Sequence, residues 1–356
     1  MTKPPDRKTV FVIGAGASAE VNLPVGSALT TKISKALEVA LTPFGLFERG
    51  DAIICEALSL AANRRSLQPN LIFVACSHIR DGMKQASSID QFIHDRSGDK
   101  LIELCGKLAI VREIIAGEAR SHMSKDHNLS DSRPGIGGPA LRKTWYHSFQ
   151  QLLLSGGLPS MERRLASIAL IVFNYDRCIE HYLLYALQSY YQISNDDAAS
   201  LLNHLTIYHP YGTVGHLPWS DSANASNAIA FGETPKAAQL LDLAGQIKTF
   251  TEGMGDASAI QSTIAEAKTI VFLGFSFNHM NLDLLKPPRL PGPLPQRRIF
   301  ATAYGLSESH RKSISKELLN RNMVGDINQV ELRALECAKL FHEFGHQFES
   351  ALRFSG

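Results

Sequence analysis

A short apolar run that ends in a glycine turn is the most informative feature of this chain. The run is Thr9–Ile13, and the turn after it has the sequence Gly-Ala-Gly-Ala-Ser at positions 14–18. Residues from Pro24 to Leu41 suit a helix. A strand, a glycine turn and a helix in this order can bring backbone N–H groups close to a pyrophosphate. Glycine at 14 and 16 permits such an approach, although similar turns also serve packing alone.

Further apolar runs extend this pattern along the chain. We predict strands at residues 8–14, 168–173, 205–209, 268–274 and 297–303. The stretches between them mostly have helical spacing of apolar residues. Strands that alternate with helices indicate a parallel sheet covered on both faces. The sequence therefore predicts an α/β fold, with a mainly parallel Rossmann-like sheet and a helical insertion.

The predicted domain organisation follows from these runs. We expect one domain over residues 1–356, with a mostly helical insertion at about 25–166. The remainder of the Rossmann-like core covers about 167–304, and C-terminal helices cover about 305–356. The helical stretches inside the insertion are 25–120 and 139–166. Segments rich in Gly, Ser or Pro predict loops at 121–139, 212–232 and 286–295.

Composition narrows the classes of function. The chain has 356 residues and a net charge of +2, which gives no argument for direct nucleic-acid binding. The apolar runs are too short to span a bilayer, and no apolar core follows Met1 as in a secretory signal. The five cysteines are scattered, which favours reduced thiols in a cytoplasm and argues against a zinc ribbon. We therefore expect a cytoplasmic protein without a membrane or zinc partner.

Polar residues follow three of the predicted strands. Asn174 and Asp176 come after the second strand, His209 after the third, and Gly274 and Ser276 after the fourth. Polar groups at the carboxyl ends of parallel strands face the ligand crevice, where a histidine can act as a base near neutral pH. Packing alternatives stay open, because Asp176 can cap the next helix and a histidine at a strand end is often structural.

Taken together, these strand ends resemble the sirtuin superfamily, in particular the sirtuin-like proteins of prokaryotic antiphage defence. The sirtuin pattern Gly-Ala-Gly-x-Ser-x-Glu-x-x-x-Pro is matched by Gly14, Ala15, Gly16, Ser18, Glu20 and Pro24. Three later blocks are similar to the Gln-Asn-Ile-Asp box, the catalytic His-Gly turn and the Gly-x-Ser loop of the family: Phe173–Asp176, Tyr208–Gly212 and Leu273–Ser276. Ser88–Phe92 looks like an element of the defence branch.

The chain also departs from the sirtuin pattern. The deacylases have Asp-Phe-Arg after the proline, where this chain has Val25–Ser27, and they carry a zinc ribbon whose cysteines are missing here. Tyr211 precedes Gly212, and His209 lies two positions earlier. The departures leave open whether His209 or Tyr211 takes the catalytic role, and they weaken the case for a peptide-acyl substrate.

The resemblance implies hydrolysis of NAD to nicotinamide and ADP-ribose, as an effector of antiphage defence by NAD depletion. Asn174 would position water or ribose hydroxyls, Asp176 would bond the nicotinamide carboxamide, and His209 would accept a proton. The implied NAD-binding residues are Gly14, Ala15, Gly16, Ala17, Ser18, Glu20, Pro24, Asp90, Tyr211, Gly212, Gly274, Ser276, Asn281 and Tyr304. Because an unregulated NAD hydrolase would kill its host, we expect a homo-oligomer or a partner defence protein, such as an ATPase, an Argonaute-type protein or another sensor.

Three alternatives remain open from the sequence. The chain could bind NAD or ADP-ribose without catalysis, as a sensor or scaffold. His342-Glu343-x-x-His346, with Glu349 as a third ligand, matches a zinc metalloprotease signature, but it also suits the outer face of an amphipathic helix. A dehydrogenase would need an acidic residue at the end of a second strand, whereas Glu38 lies in helical sequence.

Overall fold

A six-stranded parallel sheet forms the centre of the fold in a computed structural model, which describes residues 9–124, 136, 138–223, 227–248, 256–288 and 296–352. In chain order the strands are β1 (Thr9–Ile13), β2 (Ala40–Leu41), β3 (Phe47–Arg49), β4 (Ile168–Val172), β5 (Thr206–Tyr208), β6 (Thr269–Leu273), β7 (Arg298–Thr302) and β8 (Val330–Arg333). Strands β1, β4 and β6 consist largely of β-branched and aromatic residues, which suits strands. Strands β2 and β3 form a separate antiparallel hairpin.

The order of the strands shows how the chain winds. The sheet order is β5-β4-β1-β6-β7-β8, and all neighbouring strands are parallel. The chain therefore moves outward from β1 to one edge, returns to the centre, and moves outward to the other edge. This is the doubly wound Rossmann order, in which the direction of winding switches between β1 and β6. Ligands of such sheets bind outside the carboxyl ends of the strands at that switch.

Helices cover both faces of the sheet. They are α1 (Ala15–Ser18), α2 (Ser27–Ala36), α3 (Ala52–Arg65), α4 (Pro69–Gly82), α5 (Ile89–His94), α6 (Lys100–Ala119), α7 (Trp145–Leu154), α8 (Met161–Ala166), α9 (Cys178–Tyr191), α10 (Asn195–Leu202), α11 (Ala237–Ala244), α12 (Ala257–Glu266), α13 (His279–Leu285), α14 (Glu308–Asn320) and α15 (Cys337–Leu352). None of the described helices has both the length and the apolar character needed to cross a membrane.

Two hydrophobic cores lie on opposite faces of the sheet because successive strand residues point in opposite directions. Val10 and Val12 of β1 belong to the core shared with α2–α6 and α11–α14. Phe11 and Ile13 belong to the core shared with α7–α10 and α15. The long segment between β1 and β4 thus supplies helices to both faces, and it holds β4 beside β1.

The predicted α/β Rossmann-like fold is confirmed, and all five predicted strands are present with slightly shorter bounds. Two elements differ from the prediction. The hairpin β2–β3 interrupts the helical stretch 25–120, and it turns at Gly45, where φ is +77°. Strand β8 lies in the segment predicted to contain only C-terminal helices. It is four residues long and only partly buried, so it lacks the continuous apolar run of the inner strands.

The predicted loops lie only partly within the described residues. Residues 125–135 and 137 of the loop at 121–139, residues 224–226 of the loop at 212–232, and residues 289–295 of the loop at 286–295 lie outside them. The described part of the second loop contains an isolated parallel pairing of His216 with Ala228. This pairing matters for the site below, because it fixes the backbone of a histidine that lines a cavity.

Candidate functional site

The glycine turn after β1 packs directly against the end of β6, at the switch between the two halves of the sheet. The Gly14 N–H donates to the carbonyl of Leu273 (2.9 Å), and the Gly16 N–H donates to that of Gly274 (3.0 Å). A Cβ on Gly274 would lie 2.0 Å from the Ala17 nitrogen, and its φ is +56°. The glycines are therefore required for the approach of two strand ends. Ala15 and Gly16 remain exposed at this edge, whereas Gly14, Ala17 and Ser18 are buried.

A buried hydrogen-bond network connects the glycine turn to the end of β4. The Ser18 hydroxyl donates to Oδ2 of Asp176 (2.8 Å) and accepts from Nδ2 of Asn174 (2.9 Å). The Oδ1 of Asp176 accepts from the backbone N–H of Cys178 at the start of α9 (3.1 Å). Burial raises the pKa of Asp176, although the bonds from Ser18 and Cys178 oppose that shift. Two predicted catalytic residues and the glycine turn thus form one unit.

His209 extends this network to the end of β5. Its Nδ1 lies 3.4 Å from the carbonyl oxygen of Asn174, and its Nε2 lies 2.6 Å from Oε1 of Glu180 on α9. Burial lowers the pKa of His209, but the carboxylate of Glu180 and the Asn174 carbonyl outweigh it and raise the pKa above its usual value. The structure therefore brings Ser18, Asn174, Asp176 and His209 together at one edge of the sheet, with Glu180 as an additional partner.

The side-chain oxygen of Asn174 is an unpaired acceptor within this network. This Oδ1 is buried and accepts no hydrogen bond from any part of the chain that the structure describes. An unpaired buried acceptor costs about 1–3 kcal/mol. A donor from a ligand or a water molecule would remove that cost. This acceptor lies next to both Ser18 and the backbone that contacts His209.

A cavity lies on the β5 side of this network rather than over the glycine turn. Its volume is about 890 Å³. His209, Glu180 and Gly212 line it, together with His216 and Lys248. Asn174 is only 5% exposed and lies behind this wall. His209 is thus the predicted catalytic residue with direct access to a cavity of ligand size.

Aromatic side chains pack beside the switch point, on the face of the sheet that α2–α6 and α11–α14 cover. The Tyr211 hydroxyl donates to Oδ1 of Asn281 (2.6 Å). The Phe173 ring packs edge-on against Tyr211 and Phe275, with ring centroids 5.8 and 5.1 Å apart. The Tyr175 hydroxyl donates to the carboxylate of Asp90, whose pKa is raised by burial. Of the predicted NAD-binding residues, Tyr211 and Asn281 therefore bond to each other, and Asp90 bonds to Tyr175.

Gly212 has a specific backbone role at the end of this segment. Its φ is +74°, and a Cβ there would lie 2.4 Å from the carbonyl oxygen of Gln246. The N–H of Lys248 donates to the Tyr211 carbonyl (3.0 Å), so the two loops run side by side. Gly212 lets the loop after β5 pass the loop after α11, and both loops line the cavity.

Two predicted residues lie in packing positions. The carboxylate of Glu20 accepts from the backbone N–H groups of Trp145 (2.8 Å) and Ala338 (2.9 Å), at the starts of α7 and α15. Burial raises its pKa, and these bonds oppose the shift. Pro24 is buried, and a Cβ on Gly117 of α6 would lie 2.8 Å from its ring. Glu20 therefore joins two helix N-termini, where a carboxylate is favourable.

The last two predicted binding residues lie at the surface. Ser276 is exposed after β6, and Tyr304 is 71% exposed after β7. Both follow carboxyl ends of strands, as the sequence indicates. Their roles in binding remain predictions.

The sequence does not reveal Glu180, His216 or the pair formed by Arg177 and Glu118. Arg177 and Glu118 are almost fully buried, and their side chains meet at 2.5 Å. The Glu118 carboxylate also accepts from the backbone N–H groups of Arg177 and Gly232. Glu180 lies four residues after Asp176, in the first turn of α9, and that spacing is the one signal that could have indicated it. The other partners are distant in the sequence.

The zinc-protease motif lies on the outer face of α15. Phe341, Phe344 and Phe348 are buried against the sheet, whereas His342 and His346 are exposed beside α7. Within the described ranges, no three His, Cys, Asp or Glu side chains are arranged to bind one metal ion. The dehydrogenase alternative expects an acidic residue on a second sheet strand, but Glu38 follows α2 and precedes the separate hairpin.

The comparisons with known proteins give no relative. A scan against protein-family models finds no matching family, and a search of curated proteins finds no match.

Proposed function

We propose that this chain is an NAD glycohydrolase that releases nicotinamide and ADP-ribose. The observation that carries the proposal is the continuous network from Ser18 through Asn174 to His209, which ends at a cavity of about 890 Å³. It joins the glycine turn, where a pyrophosphate is expected, to polar groups suited to the glycosidic bond. The resemblance to sirtuin-like proteins supports the same chemistry.

The reaction needs few groups. Breaking the bond between nicotinamide and ribose gives both electrons to the nicotinamide nitrogen, which becomes neutral and needs no proton. The anomeric carbon then carries oxocarbenium character, and a positioned water adds to it and loses one proton. The buried Oδ1 of Asn174 is suited to accept a hydrogen bond from water or a ribose hydroxyl. A histidine in the cavity wall is suited to accept that proton.

We also propose that the activity is controlled by self-association or by a partner defence protein in the cytoplasm. An NAD hydrolase without control would deplete its own cell. Exposed apolar residues on the hairpin β2–β3 support an interaction surface, since Phe44 is 90% exposed and Leu46 is 62% exposed.

The experiment is incubation of the purified chain with NAD, alone and with the proteins encoded beside it, while nicotinamide and ADP-ribose are measured. We expect both products in equal amounts. His209→Ala and Asn174→Ala should lower the rate by about 100- to 10,000-fold. His204→Ala is the matched control, because His204 is exposed before β5 and lies outside the cavity lining. NAD hydrolysis at the wild-type rate by both site variants would overturn the assignment of these residues.

One observation favours a second candidate function, binding of NAD or ADP-ribose without catalysis. Asn174 and Asp176 are almost fully buried and both carboxylate oxygens of Asp176 are already bonded, so only Oδ1 of Asn174 is left to contact a substrate in this conformation. Binding of NAD measured by calorimetry, with no nicotinamide formed under any condition of the first experiment, would establish the sensor function and exclude the hydrolase.

A further inference from the structure

The hydrogen bonds of His209 limit what it can do in catalysis. Its Nδ1 faces a backbone carbonyl of Asn174, and its Nε2 faces the carboxylate of Glu180. Both partners are acceptors, so both ring nitrogens must carry protons for both bonds to form. An imidazole in that state has no lone pair and cannot take a proton from water. The raised pKa of His209 agrees with a protonated ring.

A second histidine in the same cavity has the opposite environment. The backbone of His216 is fixed by two hydrogen bonds, from its N–H to Asn227 (2.9 Å) and from the Ile229 N–H to its carbonyl (3.0 Å). Its side chain lines the cavity with His209. Among the residues that the structure describes, no side chain or backbone group bonds to its ring. Within this described part of the chain, His216 therefore presents a free ring nitrogen from a backbone held by two hydrogen bonds.

We propose that His216 is the catalytic base of this site, while the pair of Glu180 and His209 acts as a positioning unit. This inference rests on the proposed NAD glycohydrolase function. Water attacks the anomeric carbon as the glycosidic electron pair leaves with nicotinamide. The proton of the attacking water passes to the free ring nitrogen of His216. His209 holds the end of β5 against the Asn174 strand end.

The charges around the two rings support these roles. Burial lowers the pKa of His216, the positive charges of His209 and Arg177 lower it further, and Glu180 opposes them. Glu180, Asn174 and Asp176 raise the pKa of His209 against burial. Lys248 and Asp256 also line the cavity. Two histidines whose environments separate their pKa values are expected where one must be neutral and the other charged.

The sign of the pH dependence follows from the lowered pKa. A base acts in its neutral form, so kcat/KM should be constant near pH 7 and fall as the pH drops through the pKa of His216. That pKa lies below the usual value of 6.5. The pKa of His209 lies above its usual value, so His209 should keep its proton to a higher pH than His216 does.

The test combines nicotinamide release with NMR titration of the histidine rings in the full chain. His216→Asn should lower kcat/KM by about 100- to 10,000-fold and remove the acid limb of the pH profile. His204→Asn should leave both unchanged. Glu180→Gln should lower the titration midpoint of His209. A histidine that does not interact with Glu180 would keep its midpoint in this variant.

Each outcome separates the two proposals. Suppose that the wild-type chain hydrolyses NAD and that His216→Asn has the same rate and the same acid limb. That result would overturn the role of His216 and leave the glycohydrolase proposal intact. A titration midpoint of His209 below that of His216 would overturn the positioning pair. Absence of nicotinamide from the wild-type chain in every condition would overturn the glycohydrolase itself, and the role of His216 with it.

Discussion

A side chain at Gly274 would collide with the backbone of the turn after β1. We predict that Gly274→Ala lowers the free energy of unfolding by about 1–3 kcal/mol or more, because a Cβ would lie 2.0 Å from the Ala17 nitrogen at a φ of +56°. Chemical denaturation measures the loss. Gly345→Ala is the matched control, since nothing lies within 4 Å of a Cβ there and alanine favours the helix by about 1 kcal/mol. Equal stability of the two variants would contradict the prediction.

Single residues also show what the sequence could not supply. The positions of Asn174, Asp176 and His209 at strand ends were predictable, because an apolar run followed by polar residues marks the carboxyl edge of a parallel sheet. Their hydrogen-bond partners were not predictable from the sequence. Whether a side chain faces solvent or Ser18 depends on the register of β4 against β1, and that register is set by long-range contacts. His209 therefore appeared as a free base in the sequence, whereas Glu180 occupies its Nε2.

At the scale of elements, a buried ion pair ties α6 to the start of α9. We predict that Glu118→Ala lowers the free energy of unfolding by about 3–5 kcal/mol, because it leaves the Arg177 guanidinium buried without its carboxylate. Thermal and urea denaturation measure the effect. Glu162→Ala on α8 is the control, since Glu162 is exposed, and it should change stability by less than about 0.5 kcal/mol.

A second variant separates charge from packing at this pair. In Glu118→Met with Arg177→Met, neither charge remains buried, so part of the lost stability should return. If the double variant is less stable than Glu118→Ala, the bonds from Arg177 to the carbonyls of Ile229 and Ala230 contribute more than the pair itself.

Elements differed in how well the sequence predicted them. The inner strands are continuous apolar runs because helices cover both faces of the sheet, and such runs are readily recognised. Strand β8 lies at an edge and is only partly buried, so its Val-Glu-Leu-Arg sequence has no such run. The hairpin β2–β3 has a turn signal at Pro43 and Gly45, but its strands are two and three residues long.

At the scale of the whole molecule, α15 closes one of the two cores. Phe348 is fully buried, and its ring lies 5.2 Å from that of Phe300 on β7 and 6.3 Å from that of Phe11 on β1. We predict that Phe348→Ala lowers the free energy of unfolding by about 3–5 kcal/mol. His342→Ala, on the exposed face of the same helix, should be neutral within about 0.5 kcal/mol. A similar loss in both variants, measured by denaturation, would contradict this packing.

The sequence predicted the fold class, but it did not predict the order of the strands in the sheet. Alternating strands and helices indicated a parallel sheet, and right-handed crossovers restrict how such strands connect. The order β5-β4-β1-β6-β7-β8 depends on which edge each crossover returns to, and no local residue pattern records that choice. The position of the cavity beside β5 also depends on loops that meet only after folding.

The contact between the first turn and Gly274 has an evolutionary consequence. The two turns touch through their backbones, so a side chain added to either turn would collide with the other. A substitution in one turn is therefore tolerated only if the other turn changes as well. Descendants of this chain should therefore keep or lose these small residues jointly, although 260 positions separate Gly14 from Gly274 in the sequence. An ancestor that widened one turn would have had to reshape the other in the same lineage.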